Sequence, residues 1–129
     1  ELKPKKDVKS KGFMKFVWGG RQVIMGKRPE LLPIDKNLDD YDVIFLGTPI
    51  WAGRYTPAIN TLFHEFELKN KKFAFFCCSA GVDASKAFNL LSEKLDENEV
   101  LGEIGFKEPL KKGNREIMNG LKAWVNEII

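Results

Sequence analysis

The amino-acid sequence predicts an α/β domain built on a parallel sheet. Three observations carry that prediction. Two short apolar runs stand out, Val43-Ile44-Phe45-Leu46 within residues 42–47 and Phe73-Ala74-Phe75-Phe76-Cys77-Cys78 within residues 72–78. Each stops abruptly in small or turn-prone residues, Gly47-Thr48-Pro49 in the first case and Ser79-Ala80-Gly81 in the second. Each is followed by a segment whose apolar residues recur at helical spacing. Short apolar runs bounded by turn signals fit strands buried on both faces. Strand–helix alternation then calls for right-handed crossovers between parallel strands.

The chain opens at Glu1-Leu2-Lys3-Pro4, which reads as the end of an extended segment; with no Met at the start, further sequence upstream is expected. Residues 8–26 carry Phe13, Met14, Phe16, Val17, Trp18, Val23, Ile24 and Met25, several at helical spacing, interrupted by Gly19-Gly20. A broken or kinked helix is expected there, with an irregular exit at Gly26-Lys27-Arg28-Pro29. Residues 29–41 form a polar approach loop to the strand at 42–47. Residues 57–66 form a helix, with Thr56 as N-cap and Pro57 at the first helical position, where a missing N–H costs nothing. The second strand, 72–78, precedes a helix at 84–95 with Phe88, Leu90, Leu91 and Leu95 apolar. Residues 99–106 form a third, weaker strand. Residues 113–128 form a terminal helix with Ile117, Leu121, Trp124, Val125 and Ile128 on one face. No repeat or linker divides residues 1–129, so a single domain is expected.

A chain of 129 residues can bury a sizeable core, and 43% hydrophobic content argues against disorder. The apolar runs are far too short to span a bilayer, and no secretory signal is visible. A cytoplasmic protein with no membrane contact is the expectation. Cys77 and Cys78 are neighbours, which on a strand point to opposite faces, so they do not bond to each other and fit small buried hydrophobes better than redox thiols. His64 is the single histidine and offers no metal spacing. The net charge is +3, and Lys3, Lys5, Lys6, Lys9, Lys11 and Lys15 crowd the first segment. That pattern fits a solvated face that steers anionic partners, and no motif for nucleic acid accompanies it.

Trp51 lies just beyond the first strand tip. In open α/β sheets ligands sit beyond the carboxyl ends of the strands, and there an indole suits stacking on a planar ligand. Tyr55 either reaches that ligand or braces the loop. Arg54 fits a solvated charge better than an anchor for an anionic substrate.

The loop Gly47-Thr48-Pro49-Ile50-Trp51-Ala52-Gly53-Arg54-Tyr55-Thr56-Pro57-Ala58, followed one helix and one strand later by Cys77-Cys78-Ser79-Ala80-Gly81, resembles the flavodoxin family. The resemblance covers essentially the whole chain. It implies a flavodoxin-like doubly wound parallel sheet of strand order 2-1-3-4-5, the order that flavodoxin itself commonly illustrates. It implies FMN as cofactor, with Thr48, Pro49, Ile50, Trp51 and Ala52 lining one side of the isoalloxazine and Cys78, Ser79, Ala80 and Gly81 flanking the other. It implies flavin-dependent redox chemistry, as an electron carrier or as an NAD(P)H oxidoreductase, serving a redox partner protein or a small-molecule electron acceptor. No residue stands out as a general acid or base; the chemistry would be the cofactor's.

The sequence also departs from the family. Its members open with a strand, a Ser/Thr- and Gly-rich phosphate loop and a first helix, and none of the three is in this chain. The missing strand is the central one, so the sheet is expected to expose edges and to favour self-association. About 30 upstream residues, the size of one strand–helix unit, would supply it, or a second chain would. A fragment that binds no flavin is the other alternative. Soluble carriers of the family are acidic, whereas this chain has a pI of about 8.8. A flavin-free interaction module therefore stands beside the flavoprotein as the competing expectation, supported by the absent phosphate loop, the apolar segment Phe13–Met25 and the basic N-terminal face.

Overall fold

The computed structural model describes residues 1–6, 14–81, 83–111 and 114–129; the expectations for residues 8–13 fall outside these. The elements run α1 (Met14–Ile24), β1 (Val43–Pro49), α2 (Pro57–Glu65), β2 (Lys72–Ser79), α3 (Ser85–Lys94), β3 (Glu99–Lys107) and α4 (Asn114–Ile128). The three strands form one parallel sheet in the order β1-β2-β3. The α/β class, the alternation and the position of every strand agree with the sequence-based expectation.

β2 is the central strand and meets that expectation along its middle: Phe73, Ala74 and Phe75 are completely buried, so both faces are covered there. β1 does not. It was expected to be buried on both faces, yet burial alternates along it, with Leu46 and Thr48 inside and Phe45 39% exposed. The reason is the distribution of the helices. One face of the sheet, carrying Leu46, Phe73, Phe75 and Cys77, packs against Ile59 and Leu62 of α2 and Phe88 and Leu91 of α3. Phe75 stacks on Phe88 with centroids 6.5 Å apart. On the other face α4 packs over β3, and from it the Trp124 ring reaches Phe45 edge-on at 6.0 Å. Among the described residues β1 pairs with β2 alone and forms the edge of the sheet.

β1 also runs two residues further than expected, so Thr48 and Pro49 belong to the strand tip. A proline is tolerated there because the edge needs no donor. Ile50 N–H donates to Cys78 O at 3.0 Å. By alternation the nitrogen of Pro49 then points to the unpaired side, where proline in sheets is confined. Gly47 has a steric reason to be glycine, since the Phe76 ring lies across it. A Cβ at Gly47 would stand 2.1 Å from Phe76 Cζ.

Helix α1 corrects a second expectation. It passes through Gly19-Gly20 without a break and stops at Ile24, where Met25 N–H still bonds Arg21 O at 3.0 Å and Gly26 N–H bonds Val23 O at 3.1 Å. The exit at residues 26–29 lies where the Gly-Lys-Arg-Pro signal put it. It is pinned to α2: Thr61 Oγ1 donates to Pro29 O at 2.6 Å and Asn60 Nδ2 donates to Lys27 O at 3.2 Å. The first residues are extended, as expected, but they pair with the approach loop rather than with the sheet, through Lys5 N–H to Glu30 O and Leu32 N–H to Lys3 O.

Candidate functional site

The two loops singled out in the sequence leave adjacent strand tips. Pro49 stands opposite Cys78 in the parallel register, and the Ile50–Cys78 hydrogen bond carries the contact one residue past the strand. From there the chain folds into a two-residue turn. Trp51 N–H donates to Arg54 O and Arg54 N–H donates to Trp51 O, both at 2.9 Å. Ala52 and Gly53 have φ of 50° and 73°. Two consecutive positive φ values inside a doubly bonded pair describe a type I′ turn, in which glycine at the second position is the residue of least steric cost. The turn holds Trp51 at the end of the strand, half-buried.

A neighbour that the sequence reading missed supports the indole. Gly19 of α1 is buried, and its Cβ position lies 3.5 Å from Trp51 Cε3. Gly19, the first of the two glycines at the expected helix break, marks the place where α1 meets the Trp51 ring. The available signal was glycine inside an otherwise helical apolar pattern, which suggests close packing as readily as a kink.

A hydroxyl clamp closes the loop. Thr48 is 4% exposed; its Oγ1 donates to Pro49 O at 2.9 Å and accepts Thr56 N–H at 3.1 Å. Thr56 occupies the N-cap position with an extended backbone, but its side chain makes no cap hydrogen bond and its hydroxyl faces Thr48 Oγ1 at 3.4 Å. Pro57 begins the helix as expected. The Tyr55 ring is buried, meets Phe63 edge-on, and its O–H donates to Asn60 Oδ1 at 3.0 Å. Tyr55 braces the loop, and burial raises its phenol above the ordinary 10.0, with Arg54 opposing the shift.

In the second loop Cys78 and Ser79 are half-buried and Ala80 and Gly81 exposed. Ser79 O accepts Glu108 N–H at 2.8 Å, tying this tip to the end of β3. Asp83 accepts Ser85 N–H at 3.2 Å and Ser85 Oγ–H at 2.8 Å; these bonds to Ser85 hold its carboxyl below the usual range and fill the start of α3. Both cysteines are free thiols. Burial, reinforced by Cys78 and by the charges of Asp83 and Glu103, pushes Cys77 up to about 11, and burial also raises Cys78. Neither is a thiolate near neutral pH, so neither suits nucleophilic chemistry. What the two loops offer is one aromatic face, small side chains and backbone polar groups.

A family model for flavodoxin matches residues 23–128. The chain belongs to the flavodoxin family. Among solved structures, this flavodoxin-family chain is similar to a flavoprotein from Lactobacillus acidophilus NCFM, solved in complex with FMN, at 25% identity with a TM-score of 0.66, covering 87% of this chain and 76% of that one. It also superposes on a Bacteroides uniformis ATCC 8492 protein (TM-score 0.78, 20% identity, 95% and 79% covered) and a Bacteroides eggerthii DSM 20697 protein (TM-score 0.72, 21% identity, 95% and 78% covered). These last two show the shared fold. No curated protein matches the chain. No helix among the described residues is long and apolar enough to cross a membrane.

Proposed function

We propose that this flavodoxin-family chain binds the isoalloxazine of FMN between its two strand-tip loops and serves in electron transfer. Thr48, Pro49, Ile50, Trp51 and Ala52 would line one side of the ring, and Cys78, Ser79, Ala80 and Gly81 the other. The observation that carries this reading is the pair of loops joined at adjacent parallel strand tips, with a type I′ turn holding Trp51 where open α/β sheets bind ligands. The relative solved with FMN supports the choice of flavin. Bound there, the flavin would supply one- and two-electron chemistry, and the protein would supply stacking and hydrogen bonds. Trp51 gives a rigid π-face, worth about 0.5–1.5 kcal/mol beyond area burial for an aromatic pair. Tyr55 holds the loop through its bond to Asn60, and Thr48, besides lining the ring, holds it through its bond to the Thr56 N–H. With both thiols held protonated, the loops bring no competing nucleophile. A redox partner protein or a small-molecule acceptor would take the electrons, and the free thiols fit a reducing cytoplasm.

The residues present fit the ring better than the phosphate. Anions bind at helix N-termini through free backbone N–H groups. Of the two helices that follow the tips, α2 begins with Pro57, which has no N–H, and α3 begins at Ser85, whose N–H is already taken by the Asp83 carboxylate. Titration of this chain with FMN and with riboflavin, followed by flavin fluorescence, tests both parts. The two flavins should bind within a few-fold of each other, and Trp51→Ala should weaken both by about tenfold, the equivalent of roughly 1.4 kcal/mol. Unchanged affinity in Trp51→Ala would remove the indole from the ring site. A preference for FMN of a hundredfold or more would show a phosphate cradle of the chain's own.

A further inference from the structure

A second concave site lies away from the strand tips, between α2 and α3 and under the exit of α1. It is a cavity of about 430 Å³, within the usual range for small-ligand pockets. Its lining brings together Arg28 from the α1 exit, Arg54 from the tip loop, His64 from α2 and Lys94 from α3, over an apolar floor that includes Phe63 and Leu90. Among the described residues no carboxylate lines it.

Three segments distant in sequence thus direct positive charge at one hollow, and α2 adds the His64 imidazole. Arg28 also lines a neighbouring cavity of about 640 Å³, where Lys5 is ion-paired to Glu30. Among the described residues, the two cavities together are lined by seven basic residues and one acidic one. Positive charge therefore outweighs negative among the described residues at these cavities, and such focusing raises the local concentration of anions.

The site is also preformed. Arg28 Nη1 lies 3.2 Å from His64 Nδ1. A guanidinium only donates, so Nδ1 accepts and Nε2 carries the ring proton, leaving the imidazole a donor. Tyr55 O–H bonds Asn60 Oδ1, Asn60 Nδ2 bonds Lys27 O, and the buried Thr61 hydroxyl bonds Pro29 O. The loop, α2 and the α1 exit are thereby locked around the hollow before any ligand arrives.

We infer that this crevice binds a small phosphorylated organic molecule, its anionic group between Arg28, Arg54 and Lys94 and its apolar part on Phe63 and Leu90. A dianionic phosphate matches a lining whose described residues are rich in donors and carry no acceptor charge, and Arg28 can meet it with the planar fork that suits phosphate. The apolar floor distinguishes such a ligand from a bare anion.

Calorimetric titration with phenyl phosphate and with inorganic phosphate tests the assignment. Phenyl phosphate should bind saturably and at least tenfold more tightly than inorganic phosphate. Arg28→Gln, Arg54→Gln and Lys94→Gln should each weaken it about tenfold, while Lys122→Gln on α4 and Trp51→Ala should leave it unchanged. In the unaltered chain the Asn60 side-chain amide and the Phe63 ring should shift in NMR spectra on addition, a readout that needs no variant to fold. Absence of saturable binding, equal affinity for the two phosphates, or equal loss in Lys122→Gln would overturn the proposal. A tenfold loss in Trp51→Ala would overturn it as well, by merging the crevice with the flavin site. None of these results depends on whether flavin binds.

Discussion

Gly47 and Cys77 show how much a single position decides in this sheet. The Phe76 ring covers the Gly47 backbone so closely that a Cβ would lie 2.1–2.7 Å from three of its atoms. Gly47→Ala should destabilise the fold by roughly 1–3 kcal/mol, the usual cost of overpacking. Chemical denaturation should show that penalty shrinking in a Phe76→Ala background, because the two positions share one space. Cys77 is 1% exposed, and its thiol titrates near 11 rather than the ordinary 9.0. Above pH 9 the unfolded chain gives up a proton that the folded chain keeps. The stability tied to this thiol is therefore complete below pH 9, falls as pH rises from 9 to 11, and levels off beyond. The raised phenol of Tyr55 adds a decline of the same sign starting near pH 10. Urea titrations across pH 8–11.5 should show a shallower decline in Cys77→Ala than in the parent; equal slopes would mean the thiol ionises as freely in the folded chain as in the unfolded one.

At the scale of elements, α1 and the Trp51 turn support one another. Glycine costs a helix interior roughly 0.8–1.0 kcal/mol relative to alanine. α1 contains two and still runs unbroken from Met14 to Ile24. At Gly19 an added Cβ would meet the Trp51 ring at 3.5 Å, an ordinary contact distance. Gly19→Ala should therefore raise stability by about 0.5–1 kcal/mol through propensity, with a small gain in contact. A rise in thermal midpoint of a few degrees would be the sign of it. A fall would mean that the ring sits closer to the helix than this geometry has it, and that glycine is required there for space.

For the molecule as a whole, the two faces of the sheet are unequal. One carries a continuous core from Leu46 to Leu95 against α2 and α3. On the other, the described cover comes from α4, whose Trp124 is 9% exposed and stands edge-on to Phe45. Trp124→Ala should cost roughly 3–5 kcal/mol, the range for emptying a large aromatic site. The same change should increase dye binding to exposed apolar surface, since Phe45 is already 39% exposed with the indole in place. A loss under about 1 kcal/mol would show that α4 does not hold this face.

Local pattern was enough for much of this protein. Apolar runs ending in glycine and proline, and the helical stripe Ile117, Leu121, Trp124 and Ile128, depend on neighbours within one or two turns, so the strands, helices and strand-tip loops were legible in the chain itself. The half-exposed state of β1 was not, because burial of an edge strand depends on which helix crosses it. Nor was the continuity of α1, because glycine in a helix spells a kink or a packing site according to what lies against it, and at Gly19 that is Trp51, 32 residues away. The basic crevice was invisible for the same reason. Arg28, Arg54, His64 and Lys94 are scattered over 67 positions of sequence, and only the crossing of four segments turns separate surface side chains into one site.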